Sequence, residues 1–461
     1  MAPILSEVFD RFVQDCPLPV MAQAVLENAF EPFTLDRLFE DVAQRQYTRK
    51  LLFSSVVDLM GLVVCRIRPA VHAAYQARAE TIDASLRAVY NKLDHLEPAI
   101  AAEMVAATAR RLESVIAAMP GGAVTPLLPG DRVKIVDGNH LAGTEHRLKP
   151  LRTIGAGALP GQALVVFDPG LMLITDVIPC EDGHAQERSL FDRILPLVRA
   201  KDLWIEDRNF CTTDLLFGIV GREGFFVVRQ HAATLHWQLV GKRRACGRIE
   251  TGHVFEQTIR ISNDAGEVLF PRRVTVALDK PTRDGDTEIH LLTNVPVRDA
   301  KAKTIAELYR ARWRIETAFC ELATALRGEV NTLGYPKAAL FGFCVALVAY
   351  NALSTVKAAL RSAHGERVVA EKVSDYYVAE EVTMTHRGMM VAIPEEEWSI
   401  FRGMEPVRLA EVLVGLARGV KLSLYRKHPR GPKKPRPKRA SGAKVKHVST
   451  VRLLEGRKKG T

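Results

Sequence analysis

The sequence predicts a mixed α/β sheet preceded by an all-helical domain and followed by further helices and a basic, disordered tail. Three observations predict it. Residues 1 to about 125 repeat apolar residues every three or four positions without any alternating stretch. From about residue 130, strand-like runs mix with helical ones. Finally, fifteen Lys or Arg fall between Lys421 and Thr461 against one acid, Glu455, so this tail carries +14 of a net +11 and residues 1–420 sum to −3.

At 461 residues and 47% apolar content, the chain is long enough for two or three domains with a large core, which excludes wholesale disorder. In the helical region, "LFSSVVDLMGLVVCRI" and "PAIAAEMVAATARRLESVIAAM" carry the three-to-four rhythm. "TIDASLRAVYNKLDH" predicts a short helix bearing Arg87, Tyr90, Asn91 and Lys92. It fits the second helix of a helix-turn-helix, and equally an exposed polar face on a core helix. "MPGGAVTPLLPGD" breaks the pattern.

Three strands follow in "RVKIVDGNHL", "ALVVFDPGLML" and "ITDVIPCE", two of them joined by a Pro-Gly turn. "HAQERSLFDRILPLVRA" predicts a helix, "DLWIED" a strand, "TTDLLFGIVGRE" a helix and "GFFVVRQH" a strand. Residues 231–297 read as a β-rich insertion with strands in "HVFEQTIRISN", "EVLFPRRVTVALD" and "TEIHLLTNVP". One long helix then spans "ELYRARWRIETAFCELA". Ala338 to Val356 contains no charge, but only thirteen of its residues are continuously apolar, so it predicts a buried helix starting at Pro336. The tail from about Lys427, rich in Pro, Gly and Lys, predicts disorder. As a flexible polycation it suits salt-sensitive binding to phosphates without sequence choice.

The seven cysteines form no CxxC pair and read as small buried hydrophobes in a reducing compartment, which argues against a zinc site or a disulfide framework. The N-terminus lacks a signal peptide's charged start and long apolar middle, so the expected location is cytoplasmic.

The chemistry-bearing residues sit at element ends. Asp137 ends the first strand and Asp207 the fourth, and strand ends in an α/β sheet converge at one edge. On the helix after the insertion, Tyr309, Arg312 and Glu316 share a face. Three carboxylates held together need a cation, and oxygen-only ligands suit Mg²⁺, or Mn²⁺ in its place. Two such ions roughly 4 Å apart serve in-line phosphoryl displacement. Arg312 suits a phosphate oxygen and Tyr309 a hydrogen bond to the same strand. The same pattern also fits a solvated, salt-bridged helix face.

"YRARWRIETAFCELATAL" resembles the YREK signature of bacterial insertion-sequence transposases of the DDE class, in the group numbered four. Tyr309, Arg312 and Glu316 match in type and spacing. "VDGNHL" resembles that family's first-aspartate motif, with Asp137 as its acid, and "EDRNFCT" the second, with Asp207. The resemblance covers roughly residues 130–355. It implies a ribonuclease-H-like catalytic core over 126–230 and 298–420, interrupted by the insertion; residues 1–125 match it only as a helical arm and read as a DNA-binding domain from their own helix-turn-helix pattern. It also implies two Mg²⁺ ions on Asp137, Asp207 and Glu316, cleavage and strand transfer on double-stranded DNA, and a homodimer pairing two element ends. The signature lysine falls at Ala323, so a DNA contact there is missing or supplied elsewhere, with Arg327 one turn on as a candidate. Two other readings stay open: a catalytically inactive DNA-binding descendant, and a nuclease without strand transfer.

Asn139 and His140 suit a turn after Asp137. Arg208 and Asn209 flank Asp207, with Asn209 equally suited to capping the next helix. Arg229 at the end of the fifth strand fits a phosphate contact or an ion pair with a neighbouring acid. His184 has no partner at metal-ligand spacing, and "KRRACGR" and "PRRVTV" fit a DNA groove or solvated strand edges.

Overall fold

The helical arm consists of α1 (Glu7–Asp15), α2 (Pro17–Ala29), α3 (Pro32–Val42), α4 (Phe53–Val64), α5 (Val71–Arg78), α6 (Leu86–His95) and α7 (Pro98–Ala117). These come from a computed structural model describing residues 6–46, 48, 50–141, 159–231, 235–282 and 285–428, apart from the side chains of 324 and 325. The tail predicted to be disordered lies, from residue 429 on, outside the described residues. Proline opens α2, α3 and α7, where its fixed φ and missing N–H suit a first turn. The Ser6 and Ser85 hydroxyls accept from the amides of Phe9 and Ala88 and so cap α1 and α6. On α6, Val89 and Leu93 are buried, and Lys92 turns inward to donate to the Leu51 carbonyl at 2.9 Å over the Phe39 ring.

One sheet follows. Its strands are β1 (Arg132–His140), β2 (Gln162–Asp168), β3 (Leu173–Cys180), β4 (Asp202–Glu206), β5 (Phe225–Arg229), β6 (Trp237–Ile249), β7 (Gly252–Ser262), β8 (Val268–Leu269), β9 (Arg272–Leu278) and β10 (Glu288–Thr293). They run in the order β3-β2-β1-β4-β5-β10-β9-β7-β6, with β8 beside β7. The β1–β4 and β4–β5 pairs are parallel and the others antiparallel, so the sheet is mixed. Because β10 pairs with β5, the insertion lengthens this sheet.

Helix α8 (Thr213–Val220) lies between β4 and β5. After the sheet come α9 (Ala302–Arg310), α10 (Trp313–Ala325), α11 (Pro336–His364), α12 (Glu366–Lys372), α13 (Asp375–Ala392), α14 (Glu395–Trp398) and α15 (Pro406–Gly419). Period-two alternation splits the core. Ile135, Leu203, Ile205 and Val227 belong to the core shared with the helices, α9 and α10 lying nearest these strands, while Val136, Trp204, Phe226 and Val228 face a second core with Phe191, Phe210 and Leu216. As its composition predicts, α11 is buried along its length, and α2, α4, α6, α7 and α15 pack around it. The fully buried Asn351 ties it to β3, accepting from the Ile174 amide and donating to the Ile174 carbonyl, both at 2.8 Å.

Five expectations are corrected. Residues 184–200 form two 3₁₀ turns, Glu187–Arg193 and Leu195–Leu197, because Pro196 removes an N–H a longer helix would need. The helix over 307–323 is broken between α9 and α10, where the amides of Arg314 and Ile315 bond three residues back to Ala311 and Arg312. Strand β6 is not assigned as a strand of its own by the sequence, although "KRRACGR" within it fits a solvated strand edge; most of it is exposed and two irregularities interrupt its pairing with β7. Asn139 and His140 do not turn: they extend β1 against Ala163 and Gln162 of β2, so Asp137 lies within the strand. The cysteines are less buried than their surroundings suggested, since only Cys211 and Cys344 are fully enclosed and Cys320 is exposed.

Candidate active site

The parallel register of β1 and β4 runs from Arg132 opposite Asp202 to Ile135 opposite Ile205. Two residues further on in sequence stand Asp137, on the Ile135 face of β1, and Asp207, just past the end of β4. Adjacent strands lie about 5 Å apart. Here β1 parts from β4 while keeping its pairing with β2, and Asp207 leaves the sheet to start a 3₁₀ turn, its carboxylate accepting from the Asn209 amide.

The first turn of α10 brings the third acid. Arg312 donates through Nη1 to Asp137 Oδ2 at 2.8 Å and through Nη2 to Glu316 Oε1 at 2.7 Å. One guanidinium thus links a strand acid to a helix acid. Its Nε–H is buried and has no hydrogen-bond partner among the described residues. Burial pushes the Asp137 carboxyl up to about 6; Arg312 opposes this, while Asp207 and Glu316 add to it. Burial also pushes the Tyr309 phenol up to about 12, with Arg312 and Arg229 lowering it and Asp207 raising it. Tyr309 therefore keeps its proton at neutral pH and can donate.

Asp137, Asp207, Tyr309, Arg312 and Glu316 are brought together. Among the described residues, however, no group of three or more His, Cys, Asp or Glu side chains is arranged to hold a metal ion. The donor set has the hard oxygen chemistry of a Mg²⁺ site. The place of a cation between Asp137 and Glu316 is taken by the Arg312 guanidinium. Arg229 pairs with Asp286 at 2.7 Å, the ion-pair alternative. Arg327 donates to the Pro69 carbonyl, near the far end of α10.

Glu187 was missed by sequence reasoning. Its carboxylate lies where a Cβ on Gly138 would be, 1.9 Å from Oε1, and it accepts from Asn209 Nδ2 at 3.3 Å. It therefore packs against β1 beside Asp137 and ties to the turn that Asp207 begins. The signal was weak, because a glutamate in a polar run usually faces water. Asn209 caps no helix; Asp207 performs the local capping.

Residues 128–352 match the family model described as a transposase DDE domain. The chain is 24% identical over 240 residues to the transposase for insertion sequence element IS421 of Escherichia coli. It is likewise 24% identical over 240 residues to InsL of insertion sequence element IS186A from E. coli strain K12. Each alignment covers 44% of this chain and 60% of the relative, so the match spans less than two thirds of these relatives' length. A cryo-EM structure of a piggyBac transposase synaptic complex with hairpin DNA aligns over 95% of this chain and 90% of its own, at 9% identity and a TM-score of 0.36, too loose a likeness to argue from. An N-terminal helical region, a ribonuclease-H-like mixed sheet and further helices are the fold, and the chain carries within it a DDE-type transposase domain related to those of bacterial insertion-sequence transposases.

Proposed function

We propose that the chain is a transposase of the YREK group that binds insertion-sequence ends and carries out Mg²⁺-dependent strand cleavage and strand transfer, with Asp137, Asp207 and Glu316 as the catalytic acids. The observation that carries this reading is the fork of Arg312, which spans Asp137 and Glu316 beside Asp207. Carboxylates from two strands and a helix repel one another unless a cation lies among them, and this chain supplies one of its own until a metal does. The three acids would hold Mg²⁺, or Mn²⁺, which when bound supplies an activated oxygen nucleophile and charge neutralisation at phosphorus.

The remaining roles belong to the protein's own groups. Arg312, with its unpartnered Nε–H, offers a donor to a non-bridging phosphate oxygen. Tyr309, protonated at neutral pH, donates to the same backbone. Glu187 and Asn209 hold the Asp207 turn in place. Arg229 and Arg327 are assigned outer phosphate contacts, Arg229 on release from Asp286. A pair of copies would bridge two double-stranded ends.

The test is Mg²⁺-dependent nicking of a duplex carrying the element's terminal repeats. Wild type should cut and produce a joined strand, and Asp207→Ala should bind without cutting. Binding without any cutting by wild type would favour the inactive DNA-binding descendant, which Ala323 in place of the signature lysine would suit. Cut ends without joined product would favour a nuclease.

A further inference from the structure

A cavity of about 340 Å³ lies where the arm helices α2 and α4 meet the C-terminal helices α13 and α14. None of its lining residues belongs to the candidate active site, and its volume is that of a small-molecule pocket. Leu26, Leu62 and Met390 give it an apolar wall.

A chain of hydrogen bonds runs among the polar lining residues. Gln23 spends an amide N–H on Glu27 Oε1 at 2.7 Å. Its carbonyl oxygen therefore accepts from His386 Nε2 at 2.6 Å, which sets the imidazole tautomer. Arg402 joins Glu27, at 2.7 Å, to Glu395, at 3.1 Å. Arg78 joins Glu395, at 2.7 Å, to Asp58, at 3.1 Å. Each inner group is thus partnered on both sides, and the two ends are acceptors.

At one end, His386 Nδ1 is buried without a hydrogen-bond partner among the described residues. Burial holds this imidazole down to about 4, so at neutral pH the nitrogen keeps its lone pair. At the other end, Arg78 takes Oδ2 of Asp58 and leaves Oδ1 for a further donor. The side chains of Asp58 and Glu395 are 48% and 45% exposed, so the cavity opens to solvent beside them. Three carboxylates, Glu27, Asp58 and Glu395, stand here with only two guanidiniums. Burial raises the Glu27 and Asp58 carboxyls above their ordinary range even though Arg402 and Arg78 oppose it. The site is short of positive charge and of donors.

We propose that this cavity binds an aliphatic diamine or longer polyamine, whose N–H groups satisfy Asp58 Oδ1 and His386 Nδ1 while its methylenes lie on the apolar wall. An anion would meet acceptors only, and a neutral diol would leave the charge unbalanced. The rival partner for Nδ1 is a single water in a neighbouring void of about 20 Å³ that His386 also borders. The proposal needs no DNA and does not rest on the transposase reading.

The experiment is calorimetric titration of the DNA-free full chain with putrescine in moderate salt. Wild type should bind saturably at one site, and butanediol should bind at least about tenfold more weakly. Asp58→Asn keeps an oxygen for Arg78 but loses the charge. His386→Gln keeps an N–H for Gln23 but loses the Nδ1 acceptor. Each should weaken putrescine about tenfold. A Cβ at Gly61, in the cavity wall, meets only Phe30 at 3.9 Å, so Gly61→Leu should fill the space and abolish binding. Leucine also suits the interior of α4 better than glycine, so this variant decides the matter should either polar variant unfold. Absence of saturable binding, or binding that Gly61→Leu leaves intact, would overturn the proposal. So would an unchanged affinity in a folded His386→Gln, which would give Nδ1 to the water.

Discussion

Arg312 reaches Asp137 at 2.8 Å across 175 residues of sequence while its other arm holds Glu316, four residues away on its own helix. The arginine is a built-in counter-ion for acids that would otherwise repel. On the proposed function, replacing it removes a competitor for metal and a donor for phosphate together. Arg312→Ala should bind Mn²⁺ about tenfold more tightly in calorimetry, yet nick DNA roughly a hundredfold more slowly. Weaker Mn²⁺ binding by the variant would count against the counter-ion role.

Glu206, the last residue of β4 and next to Asp207, is fully buried, with both carboxylate oxygens unpartnered among the described residues. Burial raises its pKa from 4.5 to about 8. The unfolded chain ionises this group near 4.5 and the folded chain only near 8, so it lowers stability as pH climbs between those values. Glu206→Gln should remove that slope and exceed wild type by a few kcal/mol at pH 8 but not at pH 5, as read from urea unfolding.

Asn351 satisfies both backbone groups of Ile174 from within an apolar helix. Asn351→Leu leaves a buried amide and carbonyl without partners. Denaturant unfolding should register a loss of roughly 2–5 kcal/mol.

Lys357 on α11 lies between Glu321 of α10, at 2.8 Å, and Asp375 of α13, at 3.2 Å. Lys357→Met leaves the largely buried Glu321 without its cation, whereas Asp375 is partly hydrated, and should cost about 3 kcal/mol. Adding Glu321→Leu should recover much of the loss. If the double variant is no more stable than the single one, the cost comes from packing and not from unpaired charge.

Local relations were legible in the sequence and long-range ones were not. The thirteen continuous apolar residues and Pro336 announced α11 as a core helix, because burial on all sides leaves no room for a polar stripe. Arg312 and Glu316 could be paired from their spacing, since four residues make one helical turn. The strands that carry the two aspartates were equally clear from their apolar runs. The hydrogen bond from Arg66 to the Ala323 carbonyl spans 257 residues and exists only once α4 packs beside α10. Strand β6 stayed hidden for a different reason: at the sheet's edge neither face needs to be apolar, so backbone pairing proceeds without patterning. The DGN run misled because pairing with β2 outweighed the turn preference of Asn139.

The jacket of arm helices around α11 governs how this protein can be dissected. A fragment beginning at residue 126 would present to water the flank of a 29-residue greasy rod that α2, α4, α6 and α7 normally cover. Such a fragment should precipitate or stick to detergent instead of behaving as a free catalytic module. The arm helices are therefore part of the housing of the candidate site, whatever else they touch.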